Sequence, residues 1–142
     1  MKGRELGVSD WHLIEQGRVS DFAAVTEDFQ FIHVDPDRSA VTPFGGTIAH
    51  GFLLLSLLSV MFKEAVGEIR GVAMSMNYGF ESVRFVSPIR TGNRIRGRFT
   101  LKECDERKAG QWRLLLHSTV EVEREEKTAL VADWLVAVLG ET

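Results

Sequence analysis

Between Ile48 and Phe62 the chain is apolar at nearly every position, broken only by His50, Gly51, Ser56 and Ser59. This stretch constrains the fold more than any other. At about 15 residues it is short of the ~20 needed to cross a bilayer, so it reads as a core helix. The expected helix runs from about Ile48 to Val66, with Gly67 as its C-terminal stop. A helix that is apolar nearly all round has to be covered on most sides. The rest of the chain must supply that cover.

The second half reads as strands. Val72 to Phe80 and Val83 to Phe85 come first, before Pro88 breaks the run. After the Thr91-Gly92-Asn93 turn signal, Ile95, Phe99 and Leu101 alternate with Arg94, Arg96, Arg98 and Thr100, with Gly97 on the apolar side. That is a half-buried strand with a basic outer face. Trp112 to Val122 alternates likewise, and Leu130 to Leu139 is apolar on both faces, as suits a strand inside a sheet. Ahead of the core helix lie a short strand at Trp11 to Ile14 and a helix from about Gln16 to Thr26. Val19, Phe22, Ala23 and Thr26 of that helix share one face. Glu27 to Thr47, with Pro36, Pro43, Gly45 and Gly46, is irregular; at that length it is functional or contains short helical turns. Strands in succession make the sheet mostly antiparallel and the class α+β. A curved sheet wrapped around a long central buried helix is the hotdog arrangement. The 142 residues fit one such domain, residues 1–142.

Composition excludes several function classes. A net charge of −3 lacks the cationic excess of a nucleic-acid-binding domain. No basic N-terminus leads into an apolar run and a cleavage site, so no signal peptide is expected. Cys104 is the only cysteine, which rules out an intrachain disulfide and zinc-type cysteine spacing. A reducing, cytoplasmic setting is the default, with no membrane and no nucleic acid as partner.

Two segments carry residues suited to chemistry. Asp28 and His33 stand five residues apart where a helix gives way to a loop. A carboxylate and an imidazole can share the proton work of adding or removing water. Pro43 to Gly51 is a glycine-rich approach to the core helix, whose N-terminus offers unpaired N–H groups suited to an enolate-like oxygen. Gly51 has no side chain to keep a ligand from its N–H. Spacing alone leaves the bland readings open: Asp28 ending a helix and binding loop amides, His33 as a satisfied half-buried histidine, the glycines as a turn.

Asp28-Phe29-Gln30-Phe31-Ile32-His33 resembles the D-x-N-P-[LIV]-H signature of the MaoC-like hydratase family, which includes (R)-specific enoyl-CoA hydratases. Gln30 and Phe31 replace the usual Asn and Pro, as is common in the branch similar to nodulation protein N. Pro43 to Phe52, Asn77-Tyr78-Gly79 and Val83-Arg84-Phe85 are similar to that branch too, so the likeness runs from about Leu6 to the last strand.

The resemblance implies a hotdog fold and hydration of a trans-2-enoyl-CoA to an (R)-3-hydroxyacyl-CoA, or the reverse. It implies Asp28 as base, and His33 as the group that orients the water and helps deliver a proton to the α carbon. It further implies that the Gly51 N–H binds the thioester oxygen, with Ser59, Asn77 and Tyr78 near the substrate. Ser59 could instead bond a backbone carbonyl, and Asn77 could cap its own loop. His50 is expected to pack or fix the loop. Phe29, Phe31, Phe52 and Tyr78 are candidates for shaping the acyl pocket. Arg84, Arg94, Arg96 and Arg98 could meet coenzyme A phosphates, although a solvated outer face is the usual case. His12 and His117 read as surface or structural residues. No metal or organic cofactor is expected, coenzyme A being part of the substrate. A lone sheet would leave open edges, so a homodimer is expected. The competing functions are a 3-hydroxyacyl-carrier-protein dehydratase, a thioesterase and a non-catalytic acyl-thioester binder.

Overall fold

A computed structural model describes residues 3–141. Its elements are β1 (Glu5–Val8), β2 (His12–Leu13), α1 (Gln16–Thr26), α2 (Phe31–Val34), α3 (Pro36–Ala40), α4 (Gly51–Ser56), α5 (Leu58–Val66), β3 (Val72–Phe85), β4 (Arg94–Lys108), β5 (Gln111–Val122) and β6 (Thr128–Gly140). The sheet order is β1-β4-β5-β6-β3, with β2 beside β4, and every pairing is antiparallel. The architecture is α+β: a hotdog, with one mostly antiparallel sheet holding the helix α4–α5.

The alternation of β4 and β5 explains their placement. Ile95, Phe99 and Leu101 of β4, with Leu116, Val120 and Val122 of β5, are buried toward the helix. They form one cluster with Leu53, Leu54, Leu58 and Met61. The opposite face of β4 carries Arg94, Arg96 and Arg98, paired with Glu123, with Glu121, and with Glu5 and Glu121. The arginines of the basic face are thus matched by acids within the chain. β6, apolar on both faces, lies between β5 and β3.

The helix differs from the sequence expectation in two respects. It starts at Gly51, not Ile48, because Ile48 bridges Arg90 and the Ala49 N–H donates to the Ile89 carbonyl, which holds the chain extended. It is also covered on one side only. Phe52, Ser56, Ser59, Val60, Lys63 and Glu64 remain exposed, because the first half of β3 stands away from α5 and leaves a groove of about 990 Å³ between them. Leu57 alone separates α4 from α5, in αR conformation. The Leu57 N–H to Leu53 and Met61 N–H to Leu57 bonds carry the helical pattern across it. Gly67, at φ 73°, ends the helix and donates to the Lys63 carbonyl.

The strands also outrun their sequence signal. β3 continues through Glu81 and Ser82 because β6 pairs with it on either side, with an irregularity between Phe80 and Ser82. β4 extends through the charged run to Lys108, paired with β5 back to Gln111. The irregular segment does contain short helical turns, α2 and α3. α3 is capped by Asp35, which accepts the Arg38 N–H at 3.1 Å, and Pro36 occupies its first turn. Among the described residues, no helix is long and apolar enough to cross a membrane.

Candidate active site

α1 ends at Glu27, whose left-handed φ of 63° turns the chain so that Asp28 leaves the helix. Asp28 is exposed, and its Oδ1 accepts the Gln30 N–H at 3.4 Å. One turn of helix, α2, then brings His33 inward, where it is only 7 % exposed. Its Nδ1 lies 2.8 Å from the Ile48 carbonyl oxygen. A carbonyl can only accept, so Nδ1 carries the hydrogen and Nε2 of the neutral ring is a bare lone pair.

A polar clamp holds these segments together. The Gln16 amide donates to the His33 carbonyl at 2.7 Å and accepts the Thr47 hydroxyl at 2.6 Å; Thr47 in turn meets Thr91 at 2.7 Å. The Ile48 N–H donates to the Ile32 carbonyl at 2.9 Å. α1, α2 and the approach to α4 are therefore tied together. Sequence reasoning missed Gln16, Thr47 and Thr91, since single polar residues in or near loops carry no pattern.

His50 is 2 % exposed and does what was expected of it. It packs, its ring stacked on His33 with centroids 3.8 Å apart, and it fixes the loop, its Nε2 lying 3.0 Å from the Asp28 carbonyl oxygen. Side-chain atoms of Asp28, His33 and His50 all lie within 4.8 Å of one another. One nitrogen of each ring meets a carbonyl oxygen, which leaves one ring nitrogen free on each histidine, and the rings are inclined by 21°. A free imidazole nitrogen close to a carboxylate is suited to proton transfer. Burial, helped by His50, holds the His33 pKa below the usual histidine value, against the opposing pull of the Ile48 hydrogen bond and the Asp28 carboxylate.

Gly51 is the first residue of α4, so its N–H has no intrahelical acceptor. A side chain here would meet the Phe85 ring, whose carbons lie 2.9 Å from where a Cβ would sit. Packing against Phe85 therefore favours glycine here.

Ser59, Asn77 and Tyr78 are not hydrogen-bonded to Asp28 or His33; they line a groove along the same helix. Ser59 and Asn77, with the buried Trp134, border both the 990 Å³ groove and an adjoining one of about 340 Å³ that Tyr78 also lines. The Ser59 hydroxyl and Asn77 amide have no hydrogen-bond partner among the described residues; the serine that bonds a backbone carbonyl is Ser56, to Phe52. Tyr78 lies under the Arg113 guanidinium, and Phe31 under that of Arg38. Phe29 and Phe52 are exposed. His12 pairs with Glu64 and His117 with Asp133, away from this site.

Residues 1–123 match the family described as MaoC like domain. The chain belongs to the MaoC-like family. Nodulation protein N of Rhizobium meliloti is 52% identical over 134 residues, 94% of this chain and 83% of that protein. The MaoC-like relative named 3-hydroxyacyl-thioester dehydratase Z, from Mycobacterium tuberculosis, is 42% identical over 94% of this chain and 88% of its own length. Among solved MaoC-like structures, the (R)-hydratase from A. caviae involved in PHA biosynthesis aligns with a TM-score of 0.73 at 25% identity. That alignment covers 96% of this chain and 98% of the other.

Proposed function

We propose that this protein adds water to the double bond of a trans-2-enoyl thioester, or removes it from the 3-hydroxyacyl product, as an enoyl-CoA hydratase. The observation that carries this is the His33 Nδ1 bond to the Ile48 carbonyl, which leaves Nε2 as a proton acceptor beside the Asp28 carboxylate. The hydratase and dehydratase names of its relatives support the same reaction class.

Water is held between the Asp28 carboxylate and His33 Nε2. Its oxygen bonds to the β carbon while one of its protons passes to Nε2. The electron pair of the double bond moves toward the thioester oxygen, which accepts the Gly51 N–H. The Nε2 proton then goes to the α carbon, and His33 returns to its neutral form. Asp28 holds the water's second hydrogen and stabilises the transient imidazolium. This gives the first proton to His33, a different division of labour from the one the resemblance implies, because the neutral ring's only free nitrogen is a lone pair. No cofactor is needed beyond the coenzyme A of the substrate. The (R) configuration is the expected outcome.

The acyl tail would run from Gly51 along α4–α5, toward Ser59, about 12 Å away at 1.5 Å per residue. The groove offers Phe62, Met74, Met76 and Trp134 to such a tail, with Lys63, Glu68 and Arg70 also on its lining, and its length supports a tail of medium or greater length. A homodimer belongs to the same reading. β3 is a 14-residue edge strand that pairs with β6 alone and exposes Met74, Met76, Tyr78 and Phe80. Two such edges can cover each other.

The test is loss of ultraviolet absorbance from crotonyl-CoA and longer enoyl-CoAs, with chiral analysis of the product. Turnover to the (R) alcohol, faster on the longer chains, is expected. A folded protein inert on every chain length would contradict the reading.

A further inference from the structure

We infer that His50 is a positioning residue for this reaction, acting on both members of the pair through its two faces of contact. The inference rests on the hydratase reading of Asp28 and His33. His50 stands immediately before Gly51, is buried, and has a side-chain atom within 4.8 Å of both. Its Nε2 meets the Asp28 carbonyl oxygen, so Nε2 carries the hydrogen and Nδ1 is bare. That Nδ1 is buried with no hydrogen-bond partner. An N–H at that position would find no acceptor, so the hydrogen sits on Nε2.

Two consequences follow from the geometry. The Nε2–H bond ties the Asp28 backbone to the N-terminus of α4, which fixes the carboxylate relative to the Gly51 N–H. The ring plane covers one face of His33 at 3.8 Å and excludes water there. That cover adds to the burial that disfavours imidazolium, which keeps His33 Nε2 free to take a proton from water. The other titratable group acting on His33 is Asp28, which pulls the opposite way. Phe22, at 5.0 Å from His50, closes the stack from α1 without charge. An orphaned buried nitrogen is costly to stability, and its place beside the pair gives that cost a function.

Two variants separate the roles. His50→Gln can keep an N–H toward the Asp28 carbonyl but removes the ring. His50→Phe keeps a ring over His33 but removes the donor. Imidazole NMR titration of the whole protein is paired with kcat and kcat/KM for crotonyl-CoA across pH. In His50→Gln the His33 midpoint and the acid limb of kcat/KM should both rise toward ~6.5, with kcat at high pH within a few-fold of the parent. In His50→Phe the midpoint should hold while kcat falls by about tenfold or more at every pH, as expected for a misplaced carboxylate. A His33 midpoint unmoved in His50→Gln would overturn the inference, as would equal losses in both variants with no change in pH profile. Nitrogen shifts of the parent protein give an arm independent of variant folding. His50 should appear as the Nε2–H tautomer, and an Nδ1–H tautomer would overturn it. Absence of turnover in the parent would count against the hydratase reading instead, while the ring measurements still decide the state of His50.

Discussion

At the scale of single residues, the site is a problem of proton inventory. His33 donates through Nδ1 and keeps Nε2 bare, and its pKa is held down chiefly by burial. The sign follows directly. Below the ordinary histidine value of ~6.5 the unfolded chain takes up a proton that native His33 resists. Stability attached to neutral His33 is therefore present above that pH and lost as pH falls through the lower native pKa. The acid limb of kcat/KM should follow the same group and lie below ~6.5; a limb at or above that value would show that another group controls turnover. The candidate pair Asp28 and His33 could be picked out of the sequence because the two stand five residues apart in a segment that resembles the family signature, and their side chains do meet. The Gln16–Thr47–Thr91 clamp could not, because its members lie far apart in the chain and meet only through α1 and the approach to α4.

At the scale of elements, backbone proximity sets the tolerances. β1 crosses α5 at Gly7, where a Cβ would sit 2.2 Å from the Ala65 carbonyl oxygen. Neither atom belongs to a flexible side chain, so Gly7→Ala should cost about 1–3 kcal/mol or more in urea denaturation. No loss would mean that β1 docks less tightly than described. The outer sheet face predicts an acid response. Burial alone would raise the Glu121 carboxyl, but hydrogen bonding from Arg96 and the charges of Arg98 and Arg96 outweigh it and hold it low. Asp133 is likewise held low, by His117 and Lys102 against burial. Stability from both is complete above the ordinary carboxylate range and is lost as pH falls through their lowered values. Glu121→Gln should therefore flatten the acid limb of the melting temperature, and an unchanged limb would count against the pairing. Here too legibility varied with the physics. Periodicity marked α1 at Gln16–Thr26 and the alternating half of β4. The extension of β4 through Lys102–Lys108 has no apolar alternation, and its strand form comes from pairing with β5. The start of the central helix was obscured because Ile48 and Ala49 are as apolar as the helix, yet their hydrogen bonds go to residues 89–90.

At the scale of the whole molecule, one apolar helix needs more cover than a single sheet gives it, and β3 is the edge left open. Light scattering should report a dimer, and Met74→Lys with Met76→Lys should shift it to a monomer, since edge lysines oppose strand pairing. A dimer unaffected by both lysines would place the interface elsewhere. The fold itself was readable because an apolar helix followed by four long strands admits few arrangements; the groove was not, because it depends on how far β3 stands from α5. The proposed hydration of an enoyl thioester by Asp28 and His33 is decided by enoyl-CoA hydration assays of the parent protein, Asp28→Asn and His33→Gln at equal, verified folded concentration. Turnover in the parent and a loss of about 10²–10⁴-fold in each variant are expected. Turnover undiminished in either variant would show that the pair does not carry the reaction.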